Sequence, residues 1–169
     1  MDAIEAILTR RSIRKYLDKK VEMEIVNLLL YAATSAPSAG NKQPWCFIVV
    51  NEREILNKIA NVHPHAKMLL EAPLAIVVCA DINQDYYPGY WVIDCSASIE
   101  NMLICARALD LGSVWLGVYP RQDRVEAISR LFSLPANIIP HSIIAVGYTN
   151  EEFQKVDRLN LEKVHFNKW

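Results

Sequence analysis

Four apolar runs, CFIVV at 46–50, LAIVVCA at 74–80, SVWLG at 113–117 and HSIIAVGY at 141–148, limit what this chain can become. Each is too short to cross a membrane and has the composition of a buried strand. Pro73 introduces the second run. The segments around them carry helical spacing. Ile4, Ile7 and Leu8 mark a short first helix, which gives out at RRSIRKY, residues 10 to 16. In residues 21 to 35 a stripe of Ile25, Leu28, Leu29 and Ala32 predicts a second helix, stopped by Pro37. Helices are also expected over 52–62, over 122–132 and from Trp91 to Leu111. The last is rich in small residues such as Ala97, Ser98 and Ala106 and closes at Gly112. No repeat or Pro/Ser linker interrupts this alternation. We therefore read residues 1–169 as one layered α/β domain, helices covering a central sheet, with 150–169 a polar arm that ends hydrophobically.

With 169 residues, 52% of them hydrophobic, the chain can bury a real core. Its 18 Lys and Arg against 19 Asp and Glu give a net charge of −1, no footing for nucleic acid or an anionic membrane. Cys46, Cys79, Cys95 and Cys105 are scattered without a CxxC pair, as reduced, buried thiols would be. The N-terminus MDAIEAI has acids where a targeting segment has basic residues. The expected location is cytoplasmic.

Several chemistries lack their residues. Gly40, Gly89, Gly112, Gly117 and Gly147 never take the spacing of a dinucleotide or phosphate-binding loop, and no GxSxG surrounds a serine. His63 and His65 flank Pro64, but with no third ligand nearby HPH reads as a loop rather than a metal site. Binding features without a protein nucleophile are what a cofactor enzyme presents, because the cofactor carries the chemistry.

Arg10, Arg11 and Arg14, with Ser12 among them, suit a terminal phosphate, since guanidinium forks match phosphate oxygens. A solvated basic turn accounts for them equally well. The stretch APSAGNKQPW, 36 to 45, is a rigid loop studded with donors and acceptors. Pro37, Ser38, Ala39 and Asn41 could meet a planar, hydrogen-bonding ring, braced by Gln43 and Trp45, although a plain helix-to-strand connection explains them somewhat better. Leu116 offers apolar contact and Gly117 a backbone that a ligand can approach; alone, Gly117 is more often a strand terminator. Lys155 and Arg158 could add charge at the phosphate, or be tail. Phe166 and Trp169 are apolar for so late a position and suggest docking on another copy.

In this order, RRSIRKY, PSAGNKQPW, the long helix leading to LDLGSVWLG, IIAVGY and the final DRLNLEKVHFNKW resemble the nitroreductase family of FMN-dependent oxidoreductases across nearly the whole chain. The resemblance implies an α+β nitroreductase-like fold, with a central mixed sheet flanked by helices, in an intertwined homodimer. Each FMN would lie between protomers. Arg10, Arg11, Ser12, Arg14 and Arg158 of one chain would hold its phosphate and ribityl side. Pro37, Ser38, Ala39 and Asn41 of the other would meet the flavin, with the backbone of Leu116 and Gly117 beside the ring's reactive edge. NADH or NADPH would be the donor and a small molecule such as a nitroaromatic or quinone the acceptor. Reductive dehalogenation, flavin cleavage, or flavin binding without a reductase role are the alternatives. No general acid is assigned. Larger members insert helices where this chain has only INQDYYPGY, so a small or open pocket is expected, or one completed by Tyr86, Tyr87 and Trp91.

Overall fold

The computed structural model describes all 169 residues. Five helices, α1 (Ala3–Thr9), α2 (Met23–Thr34), α3 (Arg53–Val62), α4 (Trp91–Ala108) and α5 (Gln122–Leu131), surround four strands. These are β1 (Trp45–Val50), β2 (Leu74–Asp81), β3 (Gly112–Gly117) and β4 (Ile138–Gly147), in the spatial order β1-β2-β4-β3. All three pairings are antiparallel. The parallel component of the expected mixed sheet is a single bridge, Ser12 to Ser113, on the outer edge of β3. No helix is long and apolar enough to cross a membrane.

The two sheet faces account for the uninterrupted apolar runs. Along β2, Ala75, Val77 and Cys79 enter a cluster with Leu56 and Ile59 of α3 and Ile128 of α5. Leu74, Ile76, Val78 and Ala80 enter the opposite cluster with Leu29 of α2 and Ile99 and Met102 of α4. Side chains alternate by a period of two, so a strand covered on both faces has no position to give to a polar residue.

Three expectations shift in detail. The buried face of α2 is Val26, Leu29 and Ala33; Ile25 and Ala32 sit at its margin and Leu28 is 49% exposed. The expected stripe is turned because the side of α2 that packs on α4 starts one residue later. β4 begins at Ile138 rather than His141, with Pro140 inside a central strand. The register slips between Val78 and Cys79 just where Cys79 faces Pro140, and such an irregularity tolerates a residue without an N–H. After α4, Asp110 takes the left-handed conformation (φ 56°) expected of Gly112. Gly112 instead opens β3, where a Cβ would meet Ile13 Cγ2 at 2.5 Å. The glycine lets residues 12 and 13 lie against β3.

Candidate functional site

The segment Arg10–Arg14 leaves α1 and runs beside β3, with the Ile13 N–H donating to the Ser113 carbonyl at 3.0 Å. This places its cations over two clefts. The first, of about 640 Å³, is lined by Arg10, Arg11, Lys155, Asp157 and Arg158, with Ile7 and Leu8 in its wall. Arg10 is engaged by Glu100 at 3.3 Å. Arg11 donates to the Leu8 carbonyl at 3.1 Å, yet its Nε is buried with no partner in the chain. Desolvation, and after it repulsion from Arg158 and Arg10, lowers the Arg11 pKa below its ordinary value. Four cations against the carboxylates of Asp157 and Glu100 leave a net positive cleft that suits an anion carrying several acceptor oxygens.

The second cleft, of about 390 Å³, is lined by Arg14, Leu116 and Gly117 together with His63, His65, Lys67, Met68 and Trp115. Arg14 is exposed, its backbone N–H held by Glu151 Oε2 at 3.1 Å. A Cβ on Gly117 would meet nothing within 4 Å, so its glycine leaves this face of the strand end open. Ser12 lines neither cleft; it lies between them, exposed, as the bridge to β3. Extended chain advances at most ~3.3–3.6 Å per residue, so the backbones of Arg11 and Arg14 are at most about 10 Å apart.

The loop with Pro37, Ser38, Ala39 and Asn41 stands elsewhere. Ser38 Oγ accepts from the Gln43 N–H at 2.9 Å and Asn41 Oδ1 from Gln43 Nε2 at 2.9 Å, while Asp94 of α4 accepts the Ala39 N–H at 3.0 Å. Gly40 is left-handed (φ 56°), and a Cβ there would strike the Tyr86 ring at 2.6 Å. Tyr86 therefore closes on this loop and meets Tyr87 edge-to-face, their ring centroids 4.6 Å apart. Trp91 is 7% exposed and packs edge-on against Tyr119 and His141, a core residue more than a lid. The loop and Gly117 lie at the same end of the sheet but on opposite edges. Three strand spacings, about 14 Å, separate β1 from β3. Moreover, the outer edge of β3, bridged at Ser113 by Ser12, faces away from β1. Within one chain the loop and the second cleft therefore sit on opposite margins of the sheet.

Beneath Trp115 runs a buried polar chain. Its indole N–H donates to Ser142 Oγ, which lies 2.9 Å from His141 Nδ1. His141 Nε2 lies 3.4 Å from Ser96 Oγ, whose hydroxyl donates to the Val92 carbonyl at 2.7 Å. Donors and acceptors alternate consistently only for neutral His141 with its proton on Nε2. Burial lowers its pKa to about 4.

His65, Lys67 and Met68 carry no signal in the sequence as cleft residues. The short turn after α3 that holds Lys67 and Met68, Lys67–Leu70, has neither a motif nor a periodicity of its own, and only the fold brings it beside Arg14. The HPH spacing raises His63 solely as a metal ligand, whereas both its ring nitrogens are committed to backbone.

Beyond Phe153, which packs on the core and under Arg107, the arm's hydrogen bonds are all local. The Glu162 N–H donates to Asn160 Oδ1 at 2.9 Å and His165 stacks on Trp169 at 4.3 Å. Leu159 and Leu161 are each 72% exposed, Phe166 82% and Trp169 99%. The outer faces of α1 and α2 are likewise apolar, with Ile4 70% and Tyr31 72% exposed.

Comparison with known proteins agrees with this architecture. The nitroreductase family model matches residues 7–148. A protein of Methanothermobacter thermautotrophicus with the provisional name NADH dehydrogenase/NAD(P)H nitroreductase is 50% identical over 169 residues, covering 100% of this chain and 88% of its own. The crystal structure of a provisionally named NADH oxidase from Clostridium acetobutylicum superposes with a TM-score of 0.95 at 45% identity, over 97% of this chain and 99% of that one. An FMN-dependent nitroreductase from Clostridium difficile gives a TM-score of 0.90 at 34% identity, over 98% and 99% of the two chains. On the family match and the 50% identity across its whole length, the chain belongs to the nitroreductase family.

Proposed function

We propose that this protein is an FMN-dependent oxidoreductase that takes hydride from NADH or NADPH and passes it to a small acceptor such as a nitroaromatic or a quinone. It works as a cytoplasmic homodimer. The observation that carries this reading is the pair of clefts along Arg10–Arg14: a cationic one with an unpartnered guanidinium nitrogen, and, a few residues on, one at the open strand end of Gly117. A phosphate joined by a ribityl chain to a flat ring has that layout. The FMN named for the Clostridium difficile relative supports the same assignment.

When bound, FMN supplies the group that accepts and returns hydride. The chain's own residues bind and orient it. Arg10, Arg11 and Arg158 would hold the phosphate end, with Ser12 between the two clefts on the ribityl side. Arg14, expected on the phosphate and ribityl side, lines the second cleft instead and would set positive charge beside the ring, to which Leu116 and Gly117 would present backbone. Pro37, Ser38, Ala39 and Asn41 come from the second copy, because in their own chain they lie on the wrong edge of the sheet. The pinned loop then offers fixed donors and acceptors at little entropic cost.

Protein incubated with FMN and desalted is expected to keep a flavin absorption spectrum that anaerobic NADH or NADPH bleaches. Retained flavin that does not bleach would return the protein to dehalogenation, flavin cleavage or simple flavin binding. A colourless protein would end the FMN reading. Within the same assay, Arg14→Ala should weaken FMN affinity about ten- to a hundredfold, the usual worth of one charge-assisted hydrogen bond. Unchanged affinity would remove Arg14 from the site.

A further inference from the structure

His63 follows α3, its N–H donating to the Ile59 carbonyl at 3.0 Å, and Pro64 behind it keeps the backbone extended. Its side chain is buried, with 1% of the residue exposed. The His65 N–H lies 3.2 Å from His63 Nδ1. A backbone N–H can only donate, so Nδ1 carries the lone pair and the ring proton sits on Nε2. Nε2 then donates to the Gly117 carbonyl at 3.0 Å. The same oxygen accepts from Arg124 Nη1 of α5 at 2.8 Å. Both its lone pairs are thus used, by one donor from the residue that follows α3 and one from α5.

Gly117 needs such a constraint more than most residues would. It ends an edge strand, has no side chain to pack and faces open space where a Cβ would stand. A free glycine there samples several peptide orientations. Burial, with the Arg124 charge as a smaller contribution, lowers the His63 pKa, which keeps the ring in the neutral state this geometry requires. Protonation would set an Nδ1–H against the His65 N–H.

We infer that His63, together with Arg124, is a positioning residue that clamps the Gly117 peptide so that the end of β3 presents one fixed backbone edge to the flavin. The inference rests on the proposed FMN reading.

The test compares His63→Leu, which keeps bulk but no donor, with His63→Gln, whose amide nitrogen can replace Nε2. FMN dissociation constants are measured by quenching of flavin fluorescence, and visible spectra are recorded beside them. For His63→Leu we expect roughly three- to tenfold weaker FMN binding, the range of a neutral hydrogen bond, and an altered flavin band. His63→Gln should return both most of the way to wild type. If His63→Leu fails to fold, Arg124→Met removes the other donor and should shift affinity and spectrum in the same direction. A wild type that binds flavin beside soluble variants of unchanged affinity and spectrum would overturn the clamp alone. So would Leu and Gln variants that lose stability alike while flavin binding stays level. A wild type that binds no flavin would overturn both readings.

Discussion

Deletion of residues 160–169 is expected to turn a flavin-loaded dimer into a colourless monomer. The segment removes Leu161, Val164, Phe166 and Trp169, which are 72%, 41%, 82% and 99% exposed in the single chain. Burying each such side chain against a partner contributes about 1.5–3 kcal/mol, so an arm of four contributes on the order of 6 kcal/mol. Before the cost of ordering the arm is subtracted, that corresponds to up to about four decades in the dimer dissociation constant. The remaining chain should still fold, because both core clusters and their packed neighbours end at Phe153. Size-exclusion chromatography at micromolar concentration, read at the flavin band, separates the outcomes. A truncated protein that still elutes as a coloured dimer would refute the role given to the arm.

Acid should weaken the fold through His141. In the native chain its pKa stands at about 4, whereas in an unfolded chain histidine titrates near ~6.5. Between those values the unfolded state binds more protons, so stability is full above about pH 6.5 and declines as pH falls toward 4. The gap corresponds to about 3 kcal/mol, nearly all lost by pH 4. His63, lowered in the same direction, adds to the slope. Urea unfolding at fixed protein and flavin concentration, at pH 7 and pH 4.5, measures it. His141→Gln should be less stable at pH 7 but lose much of the pH dependence. A variant with the wild-type slope would show that His141 does not titrate as argued.

Elements with an uninterrupted local signal were legible in the sequence. β1, β2 and β3 match their apolar runs within a residue, and α3 and α5 within one at each end. What escaped was set by neighbours at a distance. Pro140 reads as a breaker, and only its place opposite a register slip lets β4 start before it. Which face of α2 is buried depended on where α4 lies. The arginine cluster could be read because its residues are adjacent in the chain. Its companions Lys67 and Met68 come from another segment that the fold delivers, and His141 acquires its character only from Ser96, Ser142 and Trp115 around it.

The placement of the PSAGN loop and the outer edge of β3 on opposite margins of the sheet has a genetic consequence. If each site draws its loop from one copy and its arginines from the other, a dimer mixing an arginine-defective chain with a loop-defective chain concentrates both lesions in one site. The other site is whole. Two alleles that are each inactive should therefore complement when co-expressed, restoring activity to mixed dimers at half their sites. Two lesions within the same segment should not.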